Sequence, residues 1–230
     1  MFYLNNKEAR LVILQRIELT SNFLKKIRKT LGRYIFTNFI SKYFLSPTAV
    51  GKAYFDDMKG EFETIKKYID PKNKFFLSIG GGLGGLELII NKNYEVKSFT
   101  FIERNFTSKK VKYGWDNNNN EAYNDLRLQK NFLIKNDMSL LKFKIFDYDN
   151  DKLPENKFDI VISLFSLDYH YDFNIYLKYL KMNTHEESKI IFDTIRPDYF
   201  KDIFKEVTIL KDRTKTIHGS KRILCKNFLN

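Results

Sequence analysis

The chain has 230 residues, a single cysteine (Cys225) and a formal net charge of +12. One cysteine excludes an internal disulfide and fits a reducing compartment. Asn5, Asn6, Lys7, Glu8 and Arg10 break the opening stretch that a secretory leader would keep apolar, and no segment reaches the roughly 18 apolar residues of a membrane-spanning helix, so a soluble cytoplasmic protein is expected.

Residues 7 to about 45 read as helices rich in large apolar side chains. Within them Ile13, Ile17, Leu24, Ile27, Leu31 and Ile35 recur at helical spacing beside Lys25, Lys26, Arg28, Lys29 and Arg33. That basic helix reads as a solvated face over a buried stripe, with an acidic membrane surface or a polyanionic substrate as the alternatives. Pro47 marks a break, a second helix follows from about Ala49 to Ile69, and Asp70-Pro71-Lys72-Asn73 is a turn. Residues 1–70 thus form a helical extension or cap, and residues 71–230 the main domain.

From Phe75 onward short apolar runs alternate with helical segments, the pattern of a largely parallel, doubly wound sheet. The expected strands are 75–79, 97–102, 142–146, 158–164, 189–193, about 204–210, and 221–226. Residues 109–120, with Tyr113, Trp115 and four consecutive asparagines, read as a loop, and a helix follows over 121–135. Cys225 falls in the last strand, where a thiol acts as a small apolar group.

The most informative stretch is Ser78-Ile79-Gly80-Gly81-Gly82-Leu83-Gly84-Gly85, a glycine turn between a strand and a helix. Such a turn brings backbone amides close to a ligand at the start of a helix. Gly80, Gly82 and Gly85 also satisfy the dinucleotide fingerprint, and Glu103 lies 23 residues after Gly80. Only 145 residues follow Gly85, too few for a further hydride-acceptor domain. Beyond Glu103 comes a strand ending in Phe146-Asp147-Tyr148-Asp149, then Leu153-Pro154 and the buried run Phe158 to Ser163.

With that series in place, residues 54 to 226 resemble the class I S-adenosylmethionine-dependent methyltransferases. The resemblance implies a Rossmann-like α/β sheet of seven strands, mostly parallel, with S-adenosyl-L-methionine as cofactor. It implies that Gly80, Gly81, Gly82 and Gly84 pass beneath the methionine and ribose, that Glu103 takes the ribose hydroxyls and that Asp147 accepts from the adenine amino group. Asp149 and Asp151 compete for the last role, and Ser163 completes the implied contacts. The family usually carries an acid two residues before the first glycine, and here that position is Ser78. Glu87 is a candidate substitute, although its place in a helix also fits an exposed glutamate.

After the fourth strand, Ser163 to Phe173 concentrates hydroxyl, carboxylate, imidazole and aromatic groups. The resemblance implies that this segment faces the reactive methyl. His170 is the expected general base, since imidazole titrates near neutrality, and Asp168 is expected to orient it or to act as base itself. The segment, with Tyr113, Trp115 and Glu121 to Asn124, is also similar to a bacterial subgroup described as sugar O-methyltransferases, which implies a small-molecule or saccharide acceptor. Tyr54 is a further candidate to cover the cofactor. A nucleic-acid acceptor and a non-catalytic binding module on the same fold are the competing readings. No metal site is expected, with His185, Glu186 and Glu187 read as a polar loop.

Overall fold

The computed structural model describes every residue except 21, 33–34, 37–44, 109–121, 214–218 and 230, and leaves out the side chains of 17, 22 and 213. The seven strands are β1 (Phe75–Ile79), β2 (Ser98–Glu103), β3 (Phe143–Asp147), β4 (Phe158–Ser163), β5 (Thr184–Thr194), β6 (Phe204–Arg213) and β7 (Ser220–Phe228). They form one sheet in the order β3-β2-β1-β4-β5-β7-β6. β1 to β5 pair in parallel, whereas β7 runs antiparallel to both β5 and β6. The sheet is therefore mixed, with the reversed strand inserted near one edge. Its winding changes direction between β1 and β4, and the crevice beyond the carboxyl ends of those strands is where open α/β sheets take ligands.

The described helices are α1 (Asn6–Gln15), α2 (Asn22–Leu31), α3 (Pro47–Ile65), α4 (Gly85–Asn93), α5 (Leu126–Lys135) and α6 (Asn174–Asn183). None is long and apolar enough to cross a membrane. α1 starts at a capping box, in which Asn5 and Glu8 each accept the other's backbone N–H. α3 begins at a Ser46 cap with Pro47 in its first turn, which fixes the break that the sequence indicates.

Alternation along β1 sends Phe76 to one face and Leu77 and Ile79 to the other, so both faces need cover. On the first face Phe76, Phe99 and Phe101 share an apolar cluster with Val12 and Ile13 of α1, Met58 and Phe62 of α3, and Phe132 and Leu133 of α5. Phe173, Tyr176 and Leu180 cover the second face, where α6 lies. The amino-terminal segment is fastened to α5 at two further points. Tyr3 and Asn136 exchange hydrogen bonds between backbone and amide, and Lys135 pairs with the buried Glu8 at 2.7 Å.

Strand boundaries follow the sequence reading to within one or two residues except at β5, which begins at Thr184 rather than Lys189, and β6, which runs on to Arg213. His185, Glu186 and Glu187 thus stand in a strand, not a loop. Their polar side chains hid a segment that Ser188 ties to Phe158 O through its hydroxyl, while His185 reaches Asp159 at 3.0 Å. α5 starts at Leu126, five residues later than expected, because Asp125 accepts from Leu128 N–H and caps it there. The asparagine-rich stretch with Tyr113 and Trp115 lies outside the described residues. Cys225 is buried in β7 as expected.

Arg222 of β7 is fully buried and clamps three elements. It pairs bidentately with Asp193 of β5 at 2.9 and 3.1 Å, and its remaining nitrogen reaches Glu61 and Thr64 of α3 at 2.5 and 2.6 Å. Removing one partner from a buried ionic cluster strands the others in low dielectric. Arg222→Met is expected to lose about 3–5 kcal/mol of stability, which calorimetry or thermal circular dichroism reads as a fall of roughly 6–20 °C in Tm.

Candidate functional site

The turn from β1 into α4 lies at the point where the winding reverses. Gly80 and Gly82 have φ of 64° and 66°, in the left-handed region that side chains strain to adopt. Space imposes a second constraint. A Cβ on Gly80 would collide with Ser166 Oγ, and one on Gly82 would stand 2.7 Å from Gln15 Oε1. Gly84 caps α4 in the same left-handed region, and Gly81 lies against Ser78 and Glu87. The main chain at this turn is thus approached from several sides by polar side chains.

Parallel register brings Glu103 and Asp147 abreast at the ends of β2 and β3. Glu103 is buried and accepts from Gly82 N–H at 3.1 Å. Burial pushes its carboxyl up to about 8, against hydrogen bonds from Asn124, Gly82 and Gly81, while the charge of Glu87 adds to the rise. Asn124 also donates to Gly82 O at 3.1 Å, so one amide braces both the acid and the turn. Asp147 accepts from Asp149 N–H at 3.2 Å and from Asn150 Nδ2 at 2.7 Å, and so shapes the loop after β3. Asp149 pairs instead with Arg104 at 3.3 Å, whose guanidinium lies 5.0 Å from the Tyr148 ring centre. Asp151 accepts from the backbone N–H of Asp147.

Glu87 departs from the exposed-helix alternative. It is 2% exposed and takes a hydrogen bond of 2.6 Å from Ser78 Oγ, so serine on β1 and glutamate on α4 form one buried unit under the turn. Burial pushes the Glu87 carboxyl up, with the Ser78 hydrogen bond acting against it.

Ser163 fastens the far side of the crest. Its hydroxyl donates to Ile79 O at 2.7 Å and accepts from Leu167 N–H at 2.9 Å, joining β1 to the loop after β4. That loop holds two left-handed residues, Phe165 and Asp168, each with φ of 58°. Asp168 is fully buried, with its carboxylate held by Arg196 at 2.6 Å, Thr194 at 2.5 Å and Phe173 N–H at 3.4 Å. Burial pushes its carboxyl up, and the hydrogen bonds from Arg196 and Thr194 oppose that. These bonds commit Asp168 to holding the loop in its strained shape. His170 is half-buried on the same loop, edge-on to Tyr169 with ring centres 5.0 Å apart, while Tyr171 OH meets Ser166 Oγ at 2.7 Å over Gly80.

The amino-terminal segment reaches this crest. Gln15 donates to Tyr123 O at 2.7 Å as it covers Gly82, and Arg16 pairs with Asp57 at 2.9 Å while lying 5.3 Å from the Phe165 ring centre. Tyr54 sits within the core, where its hydroxyl accepts from Gly85 N–H at 3.2 Å. Asn124 and Tyr171, which also stand at this crest, fall within segments that the sequence marks, whereas Gln15 and Arg196 are contacts that sequence reasoning did not single out. Each acts across more than 20 residues of chain or from an irregular segment, and no local motif marks such contacts.

No protein-family model matches the sequence, and no curated protein does. Among solved structures, the chain is similar to TYW2 of M. jannaschii in complex with AdoMet, at 14% identity and a TM-score of 0.46 over 80% of this chain and 77% of that one. It is also similar to the B. subtilis M1A22 tRNA methyltransferase TrmK, at 13% identity and a TM-score of 0.45 over 72% and 64% of the two chains. A third is precorrin-6y C5,15-methyltransferase of Geobacter metallireducens, at 13% identity and a TM-score of 0.43 over 73% and 87%. The chain spans about half the length or less of several others, 52% of the glycopeptide N-methyltransferase MtfA and 38% of coclaurine N-methyltransferase.

Proposed function

We propose that this protein is an S-adenosylmethionine-dependent methyltransferase that methylates a hydroxyl group of a small-molecule or saccharide acceptor. The observation that carries this reading is the pairing of Glu103 and Asp147 on adjacent strand ends beside a left-handed glycine turn at the switch point. The residues fit the cofactor. A vicinal diol offers two donors to Glu103, the spare lone pairs of Asp147 accept from an amino group, and Gly80 and Gly82 admit a close approach to the main chain. A ligand seated there contacts or displaces Gln15, Ser166 and Tyr171, all of them polar.

Bound S-adenosylmethionine would supply an electrophilic methyl group on a sulfonium. The chain supplies the rest, which is alignment, exclusion of water and management of one proton. A ring nitrogen of His170 accepts the acceptor's hydroxyl proton, and Asp168, through Arg196 and Thr194, positions the loop that presents it. Ser163 fixes the same loop against β1. Residues 1–70 act as a cap over the turn through Gln15 and Arg16.

Calorimetric titration with S-adenosylmethionine and S-adenosylhomocysteine tests the cofactor reading, and absence of binding by both would overturn it. Glu103→Ala is expected to weaken both at least a hundredfold, since two charge-assisted hydrogen bonds contribute about 3–6 kcal/mol together. His170→Gln should lower kcat by roughly 10²- to 10⁴-fold and leave the Kd for S-adenosylmethionine unchanged.

Glu103 also sets a pH dependence. Its folded pKa is raised from 4.5 to about 8, so its contribution to stability is complete below 4.5 and is lost as pH rises through 8. Glu103→Gln is therefore expected to raise Tm at pH 8–9 and to flatten the decline between pH 5 and 8, and to abolish the rise in cofactor affinity over that range that ionisation of Glu103 is expected to give wild type.

A further inference from the structure

Between Glu18 and Asp56 the chain carries no acid, while Lys25, Lys26, Arg28, Lys29 and Arg33 crowd into nine residues of that stretch. The first four stand on α2. Elsewhere cations are neutralised locally, as Arg16, Lys66, Lys72 and Lys135 each pair with a carboxylate. Among the described residues no carboxylate pairs with Lys25, Lys26, Arg28 or Lys29.

The apolar side of α2 is only partly covered. Leu24 and Ile27 lean on the core, as a buried stripe requires. Phe23 and Leu31, by contrast, stay 70% and 40% exposed, and Ile35 just beyond the helix is 55% exposed while its neighbour Phe36 is buried. Phe23 shares the outer side of α2 with Lys26 and Thr30, three and seven residues on. Apolar side chains therefore stand at both ends of the helix, with Lys26 and Lys29 exposed between them. Scattered single apolar residues are ordinary at a surface, but three within thirteen residues, interleaved with five cations and no anion, form a patch.

Charge requires an anionic partner that offers an extended surface. The apolar residues decide between the two polyanions that do so. A nucleic acid takes planar rings into its base stacks and has no use for Leu31 or Ile35. A bilayer takes all three side chains into its headgroup boundary while its phosphates meet the lysines.

We propose that α2 and the turn after it form a docking surface for an anionic lipid bilayer, with Phe23, Leu31 and Ile35 entering the headgroup boundary and Lys26 and Lys29 meeting lipid phosphates between them. This inference stands independently of the cofactor reading. α2 begins seven residues after Gln15, so the segment that covers Gly82 runs on into the lipid-facing helix.

Co-sedimentation of the full chain with vesicles of phosphatidylcholine alone, and of an equimolar mixture with phosphatidylglycerol, tests this. Wild type should bind the mixed vesicles and not the neutral ones, with an affinity that falls as salt rises. Lys26→Ala combined with Lys29→Ala should weaken binding roughly 25-fold, at about fivefold per cation. Phe23→Ser should weaken it about tenfold with the salt dependence kept, a loss that charge attraction alone does not give. These side chains are exposed, so both variants should keep the wild-type Tm, which separates lost docking from lost folding. Absence of binding to the mixed vesicles, equal binding to the neutral ones, or no effect of Phe23→Ser would overturn the inference. Tighter binding to single-stranded RNA than to the mixed vesicles at the same salt, with the same loss in the lysine variant, would overturn it too and assign the surface to nucleic acid.

Discussion

The hydrogen bond from Gly82 N–H to Glu103 joins the turn after β1 to the end of β2, and the geometry of the crest is set relative to it. It requires a backbone that only glycine adopts without strain, and a carboxylate brought to the same level by parallel register. Asn124 strengthens the join by reaching the same glycine through its carbonyl. A carboxylate buried in this way is prepared to exchange a protein amide for ligand donors, at the cost of a carboxyl that resists ionisation while it waits.

Two kinds of force divide the structure. Apolar burial on both faces of the sheet fixes the strands, as Phe76, Phe99 and Phe101 show on one side and Leu77, Ile79 and Val161 on the other. Ionic clusters then fix what apolar contacts cannot orient. Arg222 with Asp193 and Glu61 ties β7, β5 and α3 together, and Asp193 also accepts from Phe165 N–H at 3.2 Å, so the clamp extends into the loop after β4. Arg196 holds the next stretch of that loop through Asp168 and Asp172. The segment that carries His170 is thus strained in its backbone and over-determined by charge.

Much of this was legible in the sequence, because short apolar runs and a glycine turn are local signals. The strands and the central turn follow from them almost residue by residue, whereas Glu103 and Asp147 were marked by the family resemblance and stand one residue beyond the strand ends read from the sequence. The start of β5 was not, since Thr184 to Glu187 are polar and join the sheet only through partners on β4 and through Ser188. Glu87 was ambiguous for a related reason. A glutamate in the first turn of a helix ordinarily faces water, and only the serine nine residues earlier, brought beneath it by the turn, explains its burial. Gln15 and Arg196 give no sign in the sequence, because their partners lie 108 and 28 residues away.

The fastening of the amino-terminal segment to α5 bears on how the chain comes into being. Tyr3 meets Asn136 across 133 positions and Glu8 meets Lys135 across 127, so nothing near the start of the chain can supply those contacts. On a ribosome adding about 5–20 residues per second, Asn136 and Lys135 follow Tyr3 and Glu8 by roughly 6–27 s. Met58 and Phe62 of α3, which share a core with Val12 and Ile13, arrive well before that, so α1 and α3 have each other to pack on while α5 is still unmade. The two distant ties therefore close over a pair of helices already in contact, and they latch an assembly whose first layer is in place.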